Sequence, residues 1–318
     1  MERLKGLLYL FGAFSLAGTS VIAARFISED LGTFTTTAVS LFFALLCLLP
    51  LSWRELLKSA PLLTAREWML LALQALFGMF LFRMFLLYGL SRTSAGEAGI
   101  LTGATPAVTV LLAMLLLKET ISRTASLGIV STIGGILLMQ GLLTPGLDHT
   151  FSLKHLLGNL LVLCAAVSES LFNIFSRSAA VKSAATKSAP LHPIVQTTIV
   201  STMALLLCVI PSLFEKPYAS LASIGWSQWL ALIWYGPFVT AIAFIFWYAG
   251  IKRCDASTAA ALSGMMPFTA LVLSVAVLGE HAGWLQWSGG LLVIMGMVLI
   301  GGNPEQSGQK TASLAEKC

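Results

Sequence analysis

The sequence predicts an all-α membrane protein: ten transmembrane helices arranged as two inverted five-helix repeats. Three observations carry that prediction. The 318-residue chain is 57% hydrophobic and only 10% charged, with a mean hydropathy of +0.87, whereas a soluble domain carries about 25% charged residues. Apolar runs of roughly twenty residues, enough to cross a bilayer as a helix, recur from one end to the other. The second half of the chain also repeats the first in register.

Hydropathy and breakers place the spans at 6–24, 33–51, 68–90, 94–117, 124–142, 155–176, 193–213, 227–249, 256–278 and 284–302. The runs are continuously apolar rather than alternating with period two, which argues against a β-barrel. The first span follows Arg3 and Lys5 and ends near Ala23 and Ala24, a pattern a cleaved signal peptide shares. Nine further spans favour an uncleaved first helix. The segment 177–192, RSAAVKSAATKSAPLH, reads as a flexible basic loop, and 303–318 as a short disordered tail.

Basic residues orient the spans. Of nineteen Lys and Arg, fourteen fall in segments on the side of the N-terminus. Four (Arg25, Arg92, Lys154 and Lys216) fall opposite, and Arg83 lies inside a span. The positive-inside rule then puts both termini in the cytoplasm of an integral plasma membrane protein, a bacterial inner membrane protein by expectation. This topology accounts for the net charge of +5, so no nucleic-acid partner is called for. The five cysteines form no CxxC pair and suggest neither a disulfide framework nor a zinc site.

A gapless shift of 161 residues superposes Gly103 on Gly264, Pro106 on Pro267, Glu119 on Glu280, Gly128 on Gly289 and Gly135 on Gly296. The halves are then 1–150 and 151–302, five spans each. An odd number of spans per copy inverts one copy relative to the other, which is the signature of alternating-access transporters with a site near mid-bilayer. Pro106 and Pro267 each remove a backbone donor and should kink their helices, as static bends or as hinges. The carbonyl so freed needs a partner, which Thr102, Thr105 or Thr109 can supply around Pro106. Glycines of the fifth and tenth spans allow close helix packing or a dimer face. Glu119 and Glu280 read as anchors tying the turn to the next helix.

These features resemble the EamA-type branch of the drug/metabolite transporter superfamily. The resemblance rests on the paired patterns 95-AGEAGILTGATPAVTVLLAMLLLKE-119 and 256-ASTAAALSGMMPFTALVLSVAVLGE-280, with the Gly-x6-Gly spacing that follows each. It implies a carrier of amino acids, amines, nucleoside-like or other small metabolites, more often an exporter than an importer. The Trp-Gly pair common in the family's first helix is here Ala17-Gly18.

Ionisable groups inside spans are costly and mark function by default. Arg83, Glu97 and Glu169 stand out. Glu169 lies about seven residues from its helix end, on the order of 10 Å deep. It shares a face with Val162, Ala165, Phe172, Asn173 and Ser176. A carboxylate there can bind a substrate amine, exchange a proton, or do both; the alternative is a structural ion pair of Arg83 with Glu169 or Glu97. Asn173, Thr102 and Phe172 join these as candidate substrate contacts. So do Trp247 and Tyr248, whose aromatic faces suit an organic ammonium.

No phosphate loop, HExxH or GxSxG motif is present, which argues against ATP drive and against an enzyme. The sequence implies no cofactor or metal. Proton coupling and facilitated diffusion both fit, as do monomer and homodimer. The leading expectation is a secondary transporter of small polar or zwitterionic molecules, with membrane lipid as its other contact. The alternative is a membrane subunit that flips or carries a lipid-linked headgroup, disfavoured because phosphate recognition recruits clusters of Arg and Lys.

Overall fold

The computed structural model of the chain describes residues 2–27, 31–117, 122–139, 153–185, 191–251, 262 and 264–301. Among the described residues every regular element is helical. A helix satisfies its own backbone groups, so an apolar run surrounded by hydrocarbon has little other choice. In chain order the helices are α1 Glu2–Ile27, α2 Thr33–Ser59, α3 Ala65–Gln74, α4 Phe82–Leu90, α5 Ala95–Thr102, α6 Thr105–Leu117 and α7 Arg123–Met139. They continue as α8 Leu153–Ala185, α9 Pro193–Leu213, α10 Pro217–Ser223, α11 Trp226–Ile233, α12 Ala243–Ile251, α13 Met265–Leu278 and α14 Trp284–Gly301. Two π-helical segments, Ala75–Leu81 and Trp234–Ile242, join α3 to α4 and α11 to α12.

Among the described residues seven helical stretches are long and apolar enough to cross a membrane. Three shorter apolar helices, Arg123–Met139, Met265–Leu278 and Trp284–Ile300, fall on the remaining expected spans. Large apolar side chains such as Leu46, Leu115, Leu127, Ile210 and Leu291 stand exposed, the surface that lipid would cover. The expected loop at 177–192 is corrected in its first part, because α8 continues to Ala185. Its Ala-rich sequence is helix-favouring. The tail 303–318 and Glu119 lie outside the described residues.

α1 lies between α12 and α13, α2 packs on α9 and on the second π segment, α4 on α8, and α5 on α13. α7 and α14 pack through their glycines. A Cβ on Gly128 would sit 2.7 Å from the Gly296 carbonyl, and one on Gly135 2.6 Å from the Gly289 carbonyl. The pairing crosses: Gly128, early in α7, meets Gly296, late in α14, and Gly135 meets Gly289. Close packing within the chain is thus made by Gly128, Gly135, Gly289 and Gly296, while Gly134 has no neighbour within 4 Å.

One end of the bundle, here the distal rim, holds the ends of α1, α4, α9 and α13 and the starts of α2, α5 and α8. Arg25 donates to the Leu90 carbonyl at 2.7 Å. Glu215 accepts from the amides of Phe34 and Thr35 at 3.1 and 2.7 Å, so it caps α2. Glu280 accepts from the amides of Ala95 and Gly96 at 2.8 and 2.9 Å and caps α5. A carboxylate on orphan N–H groups at the positive end of a helix is favourable twice over. Glu280 is therefore an anchor, but to α5 of the other half rather than to the helix that follows it.

Candidate substrate site

Arg83 is 5% exposed, and its guanidinium lies in a cradle built by two other spans. It donates to Ser40 Oγ of α2 at 2.8 Å and to Thr240 Oγ1 of the second π segment. The Tyr235 ring lies 4.5 Å from its central carbon, within cation–π range. The π turn makes this cradle. Tyr235 and Thr240 are five residues apart, which in an α-helix puts them about 140° around the axis from each other. An i→i+5 turn brings them to one face, and Thr240 Oγ1 bonds the Tyr235 carbonyl at 3.0 Å. Pro237 inside the segment has no N–H to continue an α-helical ladder. Gly236 lies directly against the Ser40 carbonyl, which lets α2 and the π segment meet at the guanidinium.

Glu169 projects from α8 toward the break in the fourth span. α5 ends at Thr102 and α6 begins at Thr105, with Gly103 and Ala104 between them. Pro106 cannot donate to the Thr102 carbonyl, and the Thr105 hydroxyl takes that place at 2.8 Å. The same hydroxyl lies 2.8 Å from Glu169 Oε2. Ser170 Oγ lies 2.8 Å from the Ala166 carbonyl of its own helix and 3.0 Å from the Thr105 carbonyl, so its one hydrogen is shared between α8 and the break. Asn173, one turn further along α8, is half-buried, and its side chain makes no hydrogen bond to another described residue.

Arg83 and Glu169 lie at nearly one depth. Gly78 lies against Phe172, and Gly89 lies against Val162. This antiparallel register leaves the two charges within about one helical turn (~5 Å) of each other along the axis. They are nevertheless not joined. Arg83 turns to α2 and the second π segment, Glu169 turns to α6, and among the described residues no carboxylate is ion-paired with Arg83. The structural ion pair considered from sequence is not formed with either Glu169 or Glu97.

Residues 4–140 and 156–302 each match the EamA-like transporter family. The chain belongs to that family. It is 28% identical to the uncharacterized transporter YetK of Bacillus subtilis (strain 168), over 91% of this chain and 84% of that protein. It is 29% identical to the uncharacterized transporter sll0355 of Synechocystis sp. (strain ATCC 27184 / PCC 6803 / Kazusa), over 92% and 88%. Its fold matches a protein of known crystal structure with a TM-score of 0.60 at 21% identity, covering 97% of this chain and 98% of that one. Family membership and the apolar helices make it an integral membrane protein.

Within this EamA-like fold the remaining predicted residues scatter. Glu97 lies at the distal rim, where Oε2 meets His155 Nε2 at 2.7 Å, Asn159 Nδ2 at 3.2 Å and Thr93 Oγ1 at 3.3 Å. Its Cα is eight residues from that of Thr105, about 12 Å along the helix, so it belongs to a different cluster from Glu169. Thr102 is buried, and its hydroxyl bonds back to Gly99. Phe172 fills the notch left by Gly78. Trp247 meets Phe244 edge-on, and the side chain of Tyr248 lies outside the described residues. Pro267 opens the first turn of α13 beside Gly103. Sequence reasoning missed Ser40, Thr240 and Tyr235 as site residues. The signal that could have found them is Pro237, which marks an irregular turn in an aromatic span.

Proposed function

We propose that this EamA-like protein is a secondary transporter, an exporter of small metabolites carrying an amine, a carboxylate or both, working by alternating access. Ten crossings form two inverted halves, residues 1–150 and 151–302, with both termini cytoplasmic and the distal rim outside. Three features support the inverted arrangement. The family matches each half separately, and the glycines of α7 and α14 pair crosswise. In addition, the 161-residue shift puts Ala75–Leu81 on 236–242, inside the second π segment.

The observation that carries the substrate reading is a pair of opposite charges at one depth, each held by hydroxyls and neither spent on the other. Burying a full charge without a charged partner is expensive, so such a group persists where a ligand completes it. Arg83 keeps N–H donors beyond the two given to Ser40 and Thr240, and its planar fork suits a carboxylate. Glu169, with the amide of Asn173 one turn away, suits an ammonium group.

Transport into liposomes of labelled amino acids, amines and nucleosides, with and without a pH gradient, tests this directly. Amino acids and amines should move. In the Arg83→Gln variant carboxylated substrates should be lost while simple amines survive, and Glu169→Gln should show the reverse preference. A preparation that scrambles lipid and moves none of these solutes would overturn the reading.

A further inference from the structure

We propose that Glu169, the Thr105 hydroxyl and the Thr102 carbonyl form a proton-reading chain that ties the charge on one carboxylate to the break in the fourth span. The inference comes from counting hydrogens. Thr105 Oγ1 lies 2.8 Å from the Thr102 carbonyl and 2.8 Å from Glu169 Oε2. A hydroxyl has one hydrogen to donate, and an ionised carboxylate has none. Both contacts are therefore hydrogen bonds at once only when Glu169 carries a proton. Glu169 then donates to Thr105, and Thr105 donates to the Thr102 carbonyl.

When Glu169 loses that proton, Thr105 turns its hydrogen to the carboxylate, because a bond to a charged acceptor is the stronger one. The Thr102 carbonyl is then released. Pro106, four residues on, has no N–H to take it back, so the loss falls on the weakest point of the helix. The break is closed at low pH and loosens as pH rises. An ammonium group bound at Glu169 would occupy the carboxylate and return Thr105 to Thr102. A proton and an amine are thus alternative occupants of one site, which is the logic of exchange. This last consequence rests on the amine reading above; the chain itself does not.

No other described charge competes for Glu169. On the elements packed against α8, Arg83 is directed to Ser40 and Thr240, and Glu97 to His155 and Asn159. Glu67 is held by the Thr64 cap beside exposed Arg66, and Tyr88 stands exposed near the distal end of α4. α6 carries no ionisable group.

Hydrogen exchange read by mass spectrometry on substrate-free protein in nanodiscs tests the chain. The peptide spanning 103–110 is normalised to one from α7 to cancel the intrinsic effect of pH. Wild type should exchange about threefold faster there at mildly alkaline than at mildly acidic pH. Glu169→Gln should be slow and flat, since its amide N–H donates as the neutral acid does. Thr105→Val should be fast and flat, and Thr105→Ser should restore the wild-type slope. A flat wild-type profile, or a slope that survives in Thr105→Val, overturns the proposal. If Thr105→Val does not fold, Glu169→Gln against Thr105→Ser decides it alone. With no substrate present, failure here leaves the substrate preferences of the Arg83 and Glu169 variants to be judged separately.

Discussion

The distal rim and the middle of the membrane treat carboxylates in opposite ways. At the rim, Glu280 and Glu215 each accept from two backbone amides at a helix start, and Glu97 is met by the side chains of both His155 and Asn159. In the middle, Glu169 has one hydroxyl, and that hydroxyl has a second acceptor. The same residue type is over-provided at one level and under-provided at the other. A fully bonded carboxylate holds helices together. A poorly bonded one has capacity left for something that arrives.

Breaking that contrast from the middle should cost most. Arg83→Gln removes the buried cation from its hydroxyl and aromatic cradle. A hydrogen bond to a charged group contributes about 1.5–3 kcal/mol, so transport of a carboxylated substrate should fall about tenfold to a hundredfold. Glu169→Gln should cut transport of an amine at least about tenfold, since 1.4 kcal/mol corresponds to a factor of ten. In both variants the melting temperature in detergent should stay near wild type. Full transport by Glu169→Gln would make that residue packing rather than chemistry.

At the rim the effect should be smaller and of another kind. Glu280→Gln keeps an acceptor for one α5 amide but removes the charge that faces the helix start. Capping and dipole contributions together suggest a loss of about 1–2 kcal/mol of stability. Thermal unfolding should shift down while transport per folded molecule stays within about twofold. A transport defect without a stability defect would move Glu280 from scaffold to gate.

Helices were legible because hydropathy is local and cumulative: among the described residues seven stretches are long and apolar enough to cross a membrane, three shorter apolar helices fall on the other expected runs, and the fourth run breaks at Gly103 and Ala104. The sequence also carried Arg83 and Glu169, since a charge inside hydrocarbon is conspicuous without knowing its neighbours. The Thr partner for the carbonyl freed by Pro106 was legible for the same reason, as donor and acceptor lie three residues apart. What was not legible depends on long-range placement. Glu280 finds its amides 184 and 185 residues away. The Arg83 cradle needs a π turn in one span and a glycine contact with another. The first π segment, Ala75–Leu81, has no proline to announce it. α8 runs to Ala185, past its first basic residues, because the Ala-rich stretch there favours helix.

Glu97 gives the finest test of the contrast. Read as a charge in a span, it ranked with Glu169; its surroundings put it with the rim. The side chains of His155 and Asn159 converge on Oε2, the Thr93 hydroxyl lies nearer Asn159 Oδ1 (2.5 Å) than Oε2 (3.3 Å), and His155 opens the cluster toward the surface. Replacing Glu97 by Gln leaves a carbonyl oxygen for these donors, so the hydrogen bonds weaken without disappearing. Transport by Glu97→Gln should therefore change by less than about twofold, with a stability loss of roughly 0.5–1.5 kcal/mol, the range of one ordinary hydrogen bond. Uptake into liposomes and thermal unfolding on the same preparation measure both quantities. If Glu97→Gln instead fails as Glu169→Gln is expected to fail, bonding saturation does not separate scaffold from site, and the substrate path runs through the rim cluster as well.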